Sequence, residues 1–573
     1  MTLAARTNEL PDALDRQRAV ATFDRNLVVT AGAGTGKTTL LVDRLIHSLL
    51  RNPDPLLITD IVALTFTNKA ANEMKQRLRE RLQNYLELDL QIEPCDEAKD
   101  ETQREVEALL RSYQLSKDEL DTRLHEALRN LERADIGTIH SFAATLLRLY
   151  PLEAGVDPQF HEDDGKQFER IFDAQWNLWL DQELSLKSPH ADNWRRVLKQ
   201  LTLEQIKELA NSLCSETVET TRGAEADKLR QPIVALRSWL QGLLASAANL
   251  LDAHPEDRVN EKLLRAAHAI IQEYLHAGCL SQTALADEKQ FVAEHSIDKG
   301  TKGWLENDAD EAQKLVRAAR GLCRVDPVLT ELVWRLLVPY VEHFRERFVH
   351  EGFVSFDGLL IRARNLVRDH LRVREELKRK YRAILIDEFQ DTDPIQYEVL
   401  LYLAEQLGHS AKDWRAVKLS PGKVFVVGDP KQSIYAFRRA DIEAYLEVVE
   451  KIIKPQGGIE CQLTTNFRSD GAILDVVNGV FQSLIQAQPG LQPAYIGIQP
   501  APQRKWPHSS ATCPKTLPKV LVRKIVGPET EVNAEKARRL EAESLAAWLQ
   551  DEVFDKVSIV TAKGEQVLAQ PKD

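Results

Sequence analysis

A run of small residues that ends in lysine and threonine lies near the start of the chain. It reads Ala31, Gly32, Ala33, Gly34, Thr35, Gly36, Lys37 and Thr38, with alanine in place of the first glycine of the usual phosphate-binding pattern. Small residues let successive backbone N–H groups close around phosphate oxygens, and a helix after the run presents its positive end to them. Lys37 would reach the terminal phosphates and Thr38 would offer its hydroxyl to magnesium. The alternative is a tight glycine turn with a solvated lysine, which the flanking strand and helix signals disfavour.

A pair of acids, Asp387 and Glu388, ends the apolar segment AILID at 383–387. At the end of a buried strand beside a phosphate-binding loop, Asp387 would hold magnesium, often through water. Glu388 would orient and deprotonate an attacking water. An acid pair by itself is commonly a solvated turn. The phosphate-binding run upstream favours the catalytic interpretation.

Four short apolar segments predict a sheet that brings these residues together. Residues 27–31 and 61–66 each run into a segment with helical spacing of apolar residues, which is typical of parallel strands. Residues 383–387 and 424–429 are apolar at consecutive positions, as strands buried on both faces must be. Parallel strands place their carboxyl ends at one edge, where ligands bind. The predicted fold class is therefore α/β with a parallel sheet.

A long stretch, residues 151–351, has helical rather than strand periodicity, with Leu236, Leu240 and Leu243 on one helix face. Together with the charged segment 86–133 it predicts a large α-helical insertion into the α/β domain. The proline-rich stretch 499–518 predicts a connector.

The composition is that of an ordinary globular protein. Hydrophobic residues make up 43% and charged residues 28% of the 573 residues, which excludes disordered and fibrous classes. The net charge of -12 excludes wrapping of nucleic acid by bulk electrostatics, so any grip on it must be local. The six cysteines form no C-x-x-C pair, no apolar run is long enough to span a bilayer, and the first residues carry charges. We expect no zinc site, no membrane partner and a cytoplasmic location.

Further motifs make the chain resemble a known family. The segment 387–396 reads DEFQDTDPIQ, and the chain also contains ALTFTNKAANEM at 63–74, IGTIHSF at 136–142, VVGDPKQSIYAFRRAD at 426–441 and LTTNFRS at 463–469. In this order, over residues 15–480, they resemble the superfamily 1 helicases of the UvrD and RecB/AddA group. The resemblance implies a RecA-like P-loop NTPase fold that uses ATP and Mg²⁺. It also implies 3′-to-5′ movement along single-stranded DNA and unwinding of duplex ends.

The resemblance assigns further residues to the nucleotide. Gln17 matches a glutamine that reads adenine, and its amide can donate to and accept from the base edge. Gln432 matches a residue that senses the γ-phosphate, and Arg468 matches an arginine that stabilises the transferring charge. Phe467 would stack on adenine. Each has a plainer interpretation as a surface or core side chain.

Another set of residues is assigned to DNA. Three rings match positions that stack on successive bases, and three polar residues match positions that touch the strand; they are Phe66, Tyr435 and Phe437, and Asn68, Thr138 and His140. Base stacking tolerates any sequence because every base has a flat π-face. Any single aromatic would more commonly belong to a core. Arg438 could bridge the nucleotide and DNA sites.

The motifs also imply a domain organisation. Residues 1–85, 134–150 and 352–455 would form the first RecA-like, ATP-binding domain, residues 86–133 and 151–351 the helical insertion, and residues 456–573 the incomplete start of a second RecA-like domain. The segments IHSFAATLLRLYPLEAGVDPQF at 139–160 and VSFDGLL at 354–360 resemble the RecB/AddA branch. That branch implies double-strand-break repair and a partner, which would be the second protein of a helicase-nuclease.

Two features of complete family members are not found in the sequence. One is the pair of later helicase motifs that includes a second γ-phosphate arginine, and the other is a nuclease motif. Since such an arginine is typically worth ~10³ to 10⁵ in rate, the chain is expected to bind nucleotide well and hydrolyse it poorly.

Three alternatives remain open at this point. The first is a UvrD-like repair helicase without a nuclease. The second is a non-enzymatic DNA-binding or assembly module, against which Glu388 and Gln432 argue. The third is an RNA-directed helicase, because stacking does not read the 2′-hydroxyl.

Overall fold

A computed structural model of the protein describes residues 10–88, 101–185, 187–220, 230–254, 259–277, 285–298, 304–324, 327–434, 441–488, 492–502, 520–521, 534–560 and 566–571. The chain divides into two compact units, Met1–Ala154 with Arg362–Asp573, and Gly155–Ile361. No described helix is both long and apolar enough to cross a bilayer.

The first unit contains a sheet of six parallel strands. They are β1 (Leu27–Ala31), β2 (Ile61–Thr65), β3 (Asp135–Thr138), β6 (Ala383–Ile386), β7 (Val424–Gly428) and β8 (Ile459–Leu463). Their order across the sheet is β3-β2-β6-β7-β1-β8. Every residue of β1, β2, β6 and β7 is buried, because both faces of the sheet are covered. The predicted α/β class with a parallel sheet is confirmed.

The helices of this unit lie before, between and after the strands. They are α1 (Ala13–Ala21), α2 (Lys37–Leu50), α3 (Asn68–Leu86), α4 (Glu101–Tyr113), α5 (Lys117–Asn130), α6 (Ile139–Leu149), α7 (Pro151–Ala154), α17 (Leu371–Lys380), α18 (Pro394–Ala404), α19 (Ile442–Glu447), α20 (Gly471–Leu484) and α21 (Ala534–Trp548). Leu40 and Leu45 of α2 pack into one core with Val29 and Phe425 of the sheet. This packing fixes the start of α2 at the edge where β1 ends.

Two parts of the chain differ from the predicted domain boundaries. Leu120 and Leu124 of α5 are fully buried in the same core as α2, so residues 101–133 belong to the first unit rather than to the helical insertion. Strand β8 lies beyond the predicted boundary at 455, yet it pairs with β1 from Leu27↔Ile459 to Ala31↔Leu463. That residues 456–573 begin a second domain of the RecA-like kind stays a prediction.

Two small ribbons follow β8. Strands β9 (Thr465–Asn466) and β10 (Gln499–Pro500) pair in parallel, and β11 (Ser558–Val560) and β12 (Gln566–Leu568) pair antiparallel. The β9–β10 pairing holds the segment after β8 in place through Gln499 N–H to Thr464 O at 2.8 Å and Ala501 N–H to Asn466 O at 3.0 Å.

The second unit is helical, as predicted for residues 151–351. Its helices are α8 (Lys166–Glu183), α9 (Ala191–Val197), α10 (Leu203–Cys214), α11 (Arg230–Ala253), α12 (Val259–Ala277), α13 (Ala286–Glu294), α14 (Glu306–Arg324), α15 (Pro327–His350) and α16 (Phe356–Asp369), which runs on into the first unit. Strands β4 (His161–Asp163) and β5 (Phe353–Ser355) form a short parallel pair. One core is aromatic, around Phe172, Trp194 and Tyr340, and the other is aliphatic, around Leu263 and Ile270.

Candidate functional site

The predicted site residues follow the carboxyl ends of the six parallel strands at one edge of the sheet. Across the sheet they are Thr138 at the end of β3 and His140 after it, Phe66 and Asn68 after β2, Asp387 and Glu388 after β6, Gln432 after β7, residues 32–38 after β1, and Arg468 after β8. The described residues predicted for DNA therefore occupy one end of this edge, and Gln432, the loop 32–38 and Arg468, predicted for nucleotide, occupy the other. The acid pair lies between them.

The loop between β1 and α2 needs glycine at two positions. Gly34 has φ 73° and Gly36 has φ 89°, both in the left-handed region that glycine adopts at little cost. The Thr35 hydroxyl donates to Gly32 O at 2.8 Å and closes the turn. Helix α2 then begins at Lys37, and Gly36 as its N-cap supplies no side-chain cap. The first N–H groups of α2 are thus left to a ligand.

Lys37 and Glu388 form an ion pair across the sheet edge. The Lys37 Nζ donates to Glu388 Oε1 at 2.6 Å and to Oε2 at 2.7 Å. The lysine side chain is 13% exposed and the glutamate 31%. Glu388 has φ 50°, a left-handed conformation that costs a non-glycine residue of order 1–3 kcal/mol. This backbone conformation turns the Glu388 carboxylate towards the phosphate-binding loop.

Asp387 lies buried beside this pair. Its N–H donates to Leu64 O at 2.8 Å in the neighbouring strand, and its Oδ1 accepts from Glu388 N–H at 2.9 Å. Burial, followed by the Glu388 carboxylate, raises the pKa of Asp387 to about 6. A carboxylate whose charge is this poorly solvated is suited to gaining a cation, and oxygen is the ligand that Mg²⁺ prefers. Asp387 and the Thr38 hydroxyl in the first turn of α2 fit that ion.

The loop after β7 lies against the phosphate-binding loop. Gln432 donates through Nε2 to Asp429 Oδ2 at 2.8 Å, and Lys431 Nζ lies 3.0 Å from Asp429 Oδ1. A Cβ added to Gly32 would lie 3.8 Å from Asp429 Oδ2. Asp429 therefore links Gln432 to the backbone that would cradle phosphate.

The segment after β8 contacts the phosphate-binding loop from the other side. Phe467 N–H donates to Gly34 O at 2.8 Å, and Asn466 Nδ2 donates to Ala33 O at 2.6 Å. A Cβ at Gly34 would lie 2.7 Å from the Cβ of Arg468, so only glycine fits there. The exposed side chain of Arg468 thus begins beside the phosphate-binding loop.

A buried ion pair on α1 anchors that segment. Arg16 donates to both carboxylate oxygens of Asp12 at 2.9 Å and to Thr465 O at 3.3 Å. Asp12 also accepts from the N–H groups of Thr464 and Thr465 at 2.9 Å. Burial opposes ionisation of Asp12, but the bonds from Arg16 and Thr465 outweigh it and lower its pKa. Gln17 follows Arg16 on α1 and is exposed.

An open cleft joins the acid pair to part of the predicted DNA surface. Phe66 and His140 line it together with Asp387 and Glu388. Asn68 is the exposed first residue of α3, and the Thr138 hydroxyl caps α6 by accepting from Ser141 N–H at 3.3 Å. Tyr435, Phe437 and Arg438 lie outside the described residues.

Several polar residues of this edge carry no predicted role, and three of them make structural contacts that stand out. They are Asp12, Asn466 and Gln390, of which Gln390 is fully buried. Gln390 and Asn466 lie within quoted motifs, so their position in the sequence could have drawn attention to them. Asp12 and Arg16 have only an i,i+4 spacing of opposite charges, which is indistinguishable from a surface pair.

The sequence of this chain is similar to those of known proteins. The family described as UvrD/REP helicase N-terminal domain matches residues 14–452. A protein of Syntrophomonas wolfei, described as part of an ATP-dependent helicase/nuclease, is 25% identical over 522 residues, covering 83% of this chain and 38% of that protein. A protein of the same description from Bacillus pumilus is 26% identical over 539 residues, covering 82% of this chain and 39% of that protein. The chain thus spans about two fifths of the length of these curated relatives.

Proposed function

Since the chain belongs to the family of the UvrD/REP helicase N-terminal domain, we propose that it binds ATP with Mg²⁺ at this sheet edge and couples hydrolysis to 3′-to-5′ movement along single-stranded DNA. The observation that carries the proposal is the convergence of Lys37, Asp387 and Glu388 at the start of α2. Family membership supports the helicase assignment. The direction of movement and the preference for single strands rest on the motif resemblance.

The nucleotide chemistry follows from what these side chains can do. Backbone N–H groups of the loop 32–38 bind phosphate oxygens, and Lys37 exchanges its bond to Glu388 for a bond to the terminal phosphates. That exchange releases the Glu388 carboxylate to accept a proton from the attacking water. Asp387 and Thr38 would hold Mg²⁺, which would supply positive charge to neutralise the phosphates. Gln432 and Arg468 complete the γ-phosphate contacts.

DNA would contact the opposite end of the same edge. Phe66 stacks on a base, and His140, Thr138 and Asn68 contact the strand beside it, with Tyr435 and Phe437 as further stacking residues. The cleft that Phe66 and His140 share with the acid pair supports a direct connection between DNA and hydrolysis.

The larger assembly is a further proposal. The names of the relatives describe each of them as one subunit of an ATP-dependent helicase/nuclease. We therefore propose that the protein acts on duplex ends in recombinational repair, together with a second protein of the same helicase-nuclease.

Displacement of streptavidin from end-biotinylated single strands tests the proposed function. With ATP, the protein should clear streptavidin from the 5′ end much faster than from the 3′ end, because a 3′-to-5′ motor runs towards the 5′ end. An RNA strand of the same sequence serves as the comparison for substrate class. Equal clearance from both ends, or clearance without ATP, would reject directional movement.

A further inference from the structure

The side chain of Gln390 lies fully buried between two loops of the site. Its Nε2 donates to Glu388 Oε2 at 2.9 Å and to Asp391 Oδ2 at 3.1 Å. Its Oε1 accepts from Asp429 N–H at 2.9 Å. Both donors and the acceptor of the amide are therefore used.

The orientation of this amide is fixed by chemistry. A backbone N–H can only donate, so the atom facing Asp429 must be the Gln390 oxygen, and the NH₂ group must face the carboxylates.

Space for the amide depends on a glycine. A Cβ added to Gly428 would lie 2.5 Å from Gln390 Oε1, so β7 must end in glycine for the side chain to reach Asp429. The Asp429 carboxylate accepts a hydrogen bond from the Gln432 side chain, so the loop after β7 is linked to Gln390 through Asp429. Glu388, Gln390, Asp429 and Gln432 thus form one continuous chain of hydrogen bonds.

We propose that Gln390 is the positioning residue for the Glu388 carboxylate. It holds this carboxylate at a fixed position relative to the loop after β7 when Lys37 moves from Glu388 to the phosphates. The inference rests on the proposed function. While Lys37 contacts both oxygens of Glu388, the lysine and Gln390 share the task of orienting it. Once Lys37 binds phosphate, the described side-chain donor left to Glu388 is Gln390.

The test compares Gln390→Met and Gly428→Ala with the unchanged chain, all with saturating single-stranded DNA. Methionine keeps the length of the side chain but cannot donate to Glu388, and the alanine methyl displaces the amide without altering it. Because a misplacement of about 1 Å can cost ~10²-fold in rate, kcat for ATP hydrolysis should fall by about 10- to 100-fold in both variants. The KM for ATP and the Kd for a fluorescent ATP analogue should change by less than about 3-fold.

Gln456→Met is the matched control. Gln456 also donates and accepts through its amide, to Val417 O at 2.9 Å and from Leu419 N–H at 2.8 Å, away from the sheet edge. It should leave kcat unchanged. Wild-type kcat in both test variants, or a loss explained by weaker nucleotide binding, would overturn the role of Gln390 and leave the proposed function intact. Absence of hydrolysis in the unchanged chain, with the same background as Lys37→Ala, would overturn the proposed function itself.

Discussion

At the scale of single residues, the ion pair between Lys37 and Glu388 joins the phosphate-binding loop to the acid pair. Both groups are predicted to act on the nucleotide, and their opposite charges meet at 2.6 and 2.7 Å. In the proposed function, a phosphate that binds Lys37 would free the Glu388 carboxylate to act as the base. Burial of Asp387 beside them favours the arrival of a cation with the nucleotide.

Replacing Lys37 tests this arrangement. Lys37→Ala should weaken binding of a fluorescent ATP analogue by about 10- to 100-fold, since a hydrogen bond to a charged group is worth ~1.5–3 kcal/mol. Lys412→Ala, at an exposed lysine, should bind like the unchanged protein. Unchanged affinity in Lys37→Ala, measured by fluorescence titration, would remove Lys37 from the phosphate site.

At the scale of elements, α1 holds the segment after β8 against the phosphate-binding loop. Asp12 accepts from the backbone of Thr464 and Thr465, and Phe467 donates to Gly34. The position of Arg468 therefore depends on a helix that lies far earlier in the chain.

Removing Asp12 should lower the free energy of unfolding and weaken nucleotide binding. Asp12→Ala leaves Arg16 buried without its carboxylate, and breaking such a pair costs about 3–5 kcal/mol. Urea unfolding should show this loss, with weaker nucleotide binding in the folded variant. The control is Glu73→Ala on α3, whose exposed ion pair with Arg77 is worth less than about 1 kcal/mol. Equal losses in the two variants would show that Asp12 is not an anchor.

The elements also show how far the sequence could predict the structure. Strands β1, β2, β6 and β7 are continuous apolar runs, so their burial and the convergence of the motifs at their ends were predictable. Strand β8, Ile-Glu-Cys-Gln-Leu, lies at the edge of the sheet, and its residues alternate between apolar and polar. Because this short alternation is a weak strand pattern, the sequence did not predict that β8 pairs with β1. The burial of α5 and the role of Gln390 depend on contacts between residues far apart in the chain, which local periodicity does not report.

At the scale of the whole molecule, the helical unit 155–361 is inserted between two parts of the unit that carries the candidate site. The two ends of the insertion point lie close together, since Arg362 Nη1 donates to Ala154 O at 3.5 Å. A short flexible linker can therefore join them.

Replacing residues 155–361 by a glycine-serine linker should leave nucleotide binding within about 3-fold of the full chain, because every described nucleotide-site residue lies in the remaining unit. Fluorescence titration with the ATP analogue measures this, and Lys37→Ala in the shortened protein is the negative control. A folded protein that no longer binds nucleotide would show that the site depends on the inserted unit.

The most direct test of the whole account is the rate of ATP hydrolysis with and without single-stranded DNA, in the unchanged chain and in Glu388→Gln. The ratio of rates, rather than the absolute rate, carries the test. We predict that DNA stimulates hydrolysis and that Glu388→Gln lowers the stimulated rate by about 100-fold or more, since a general base contributes ~10² to 10⁴. A rate of ATP hydrolysis that single-stranded DNA does not raise, or that Glu388→Gln does not lower, would contradict a DNA-stimulated ATPase at this sheet edge.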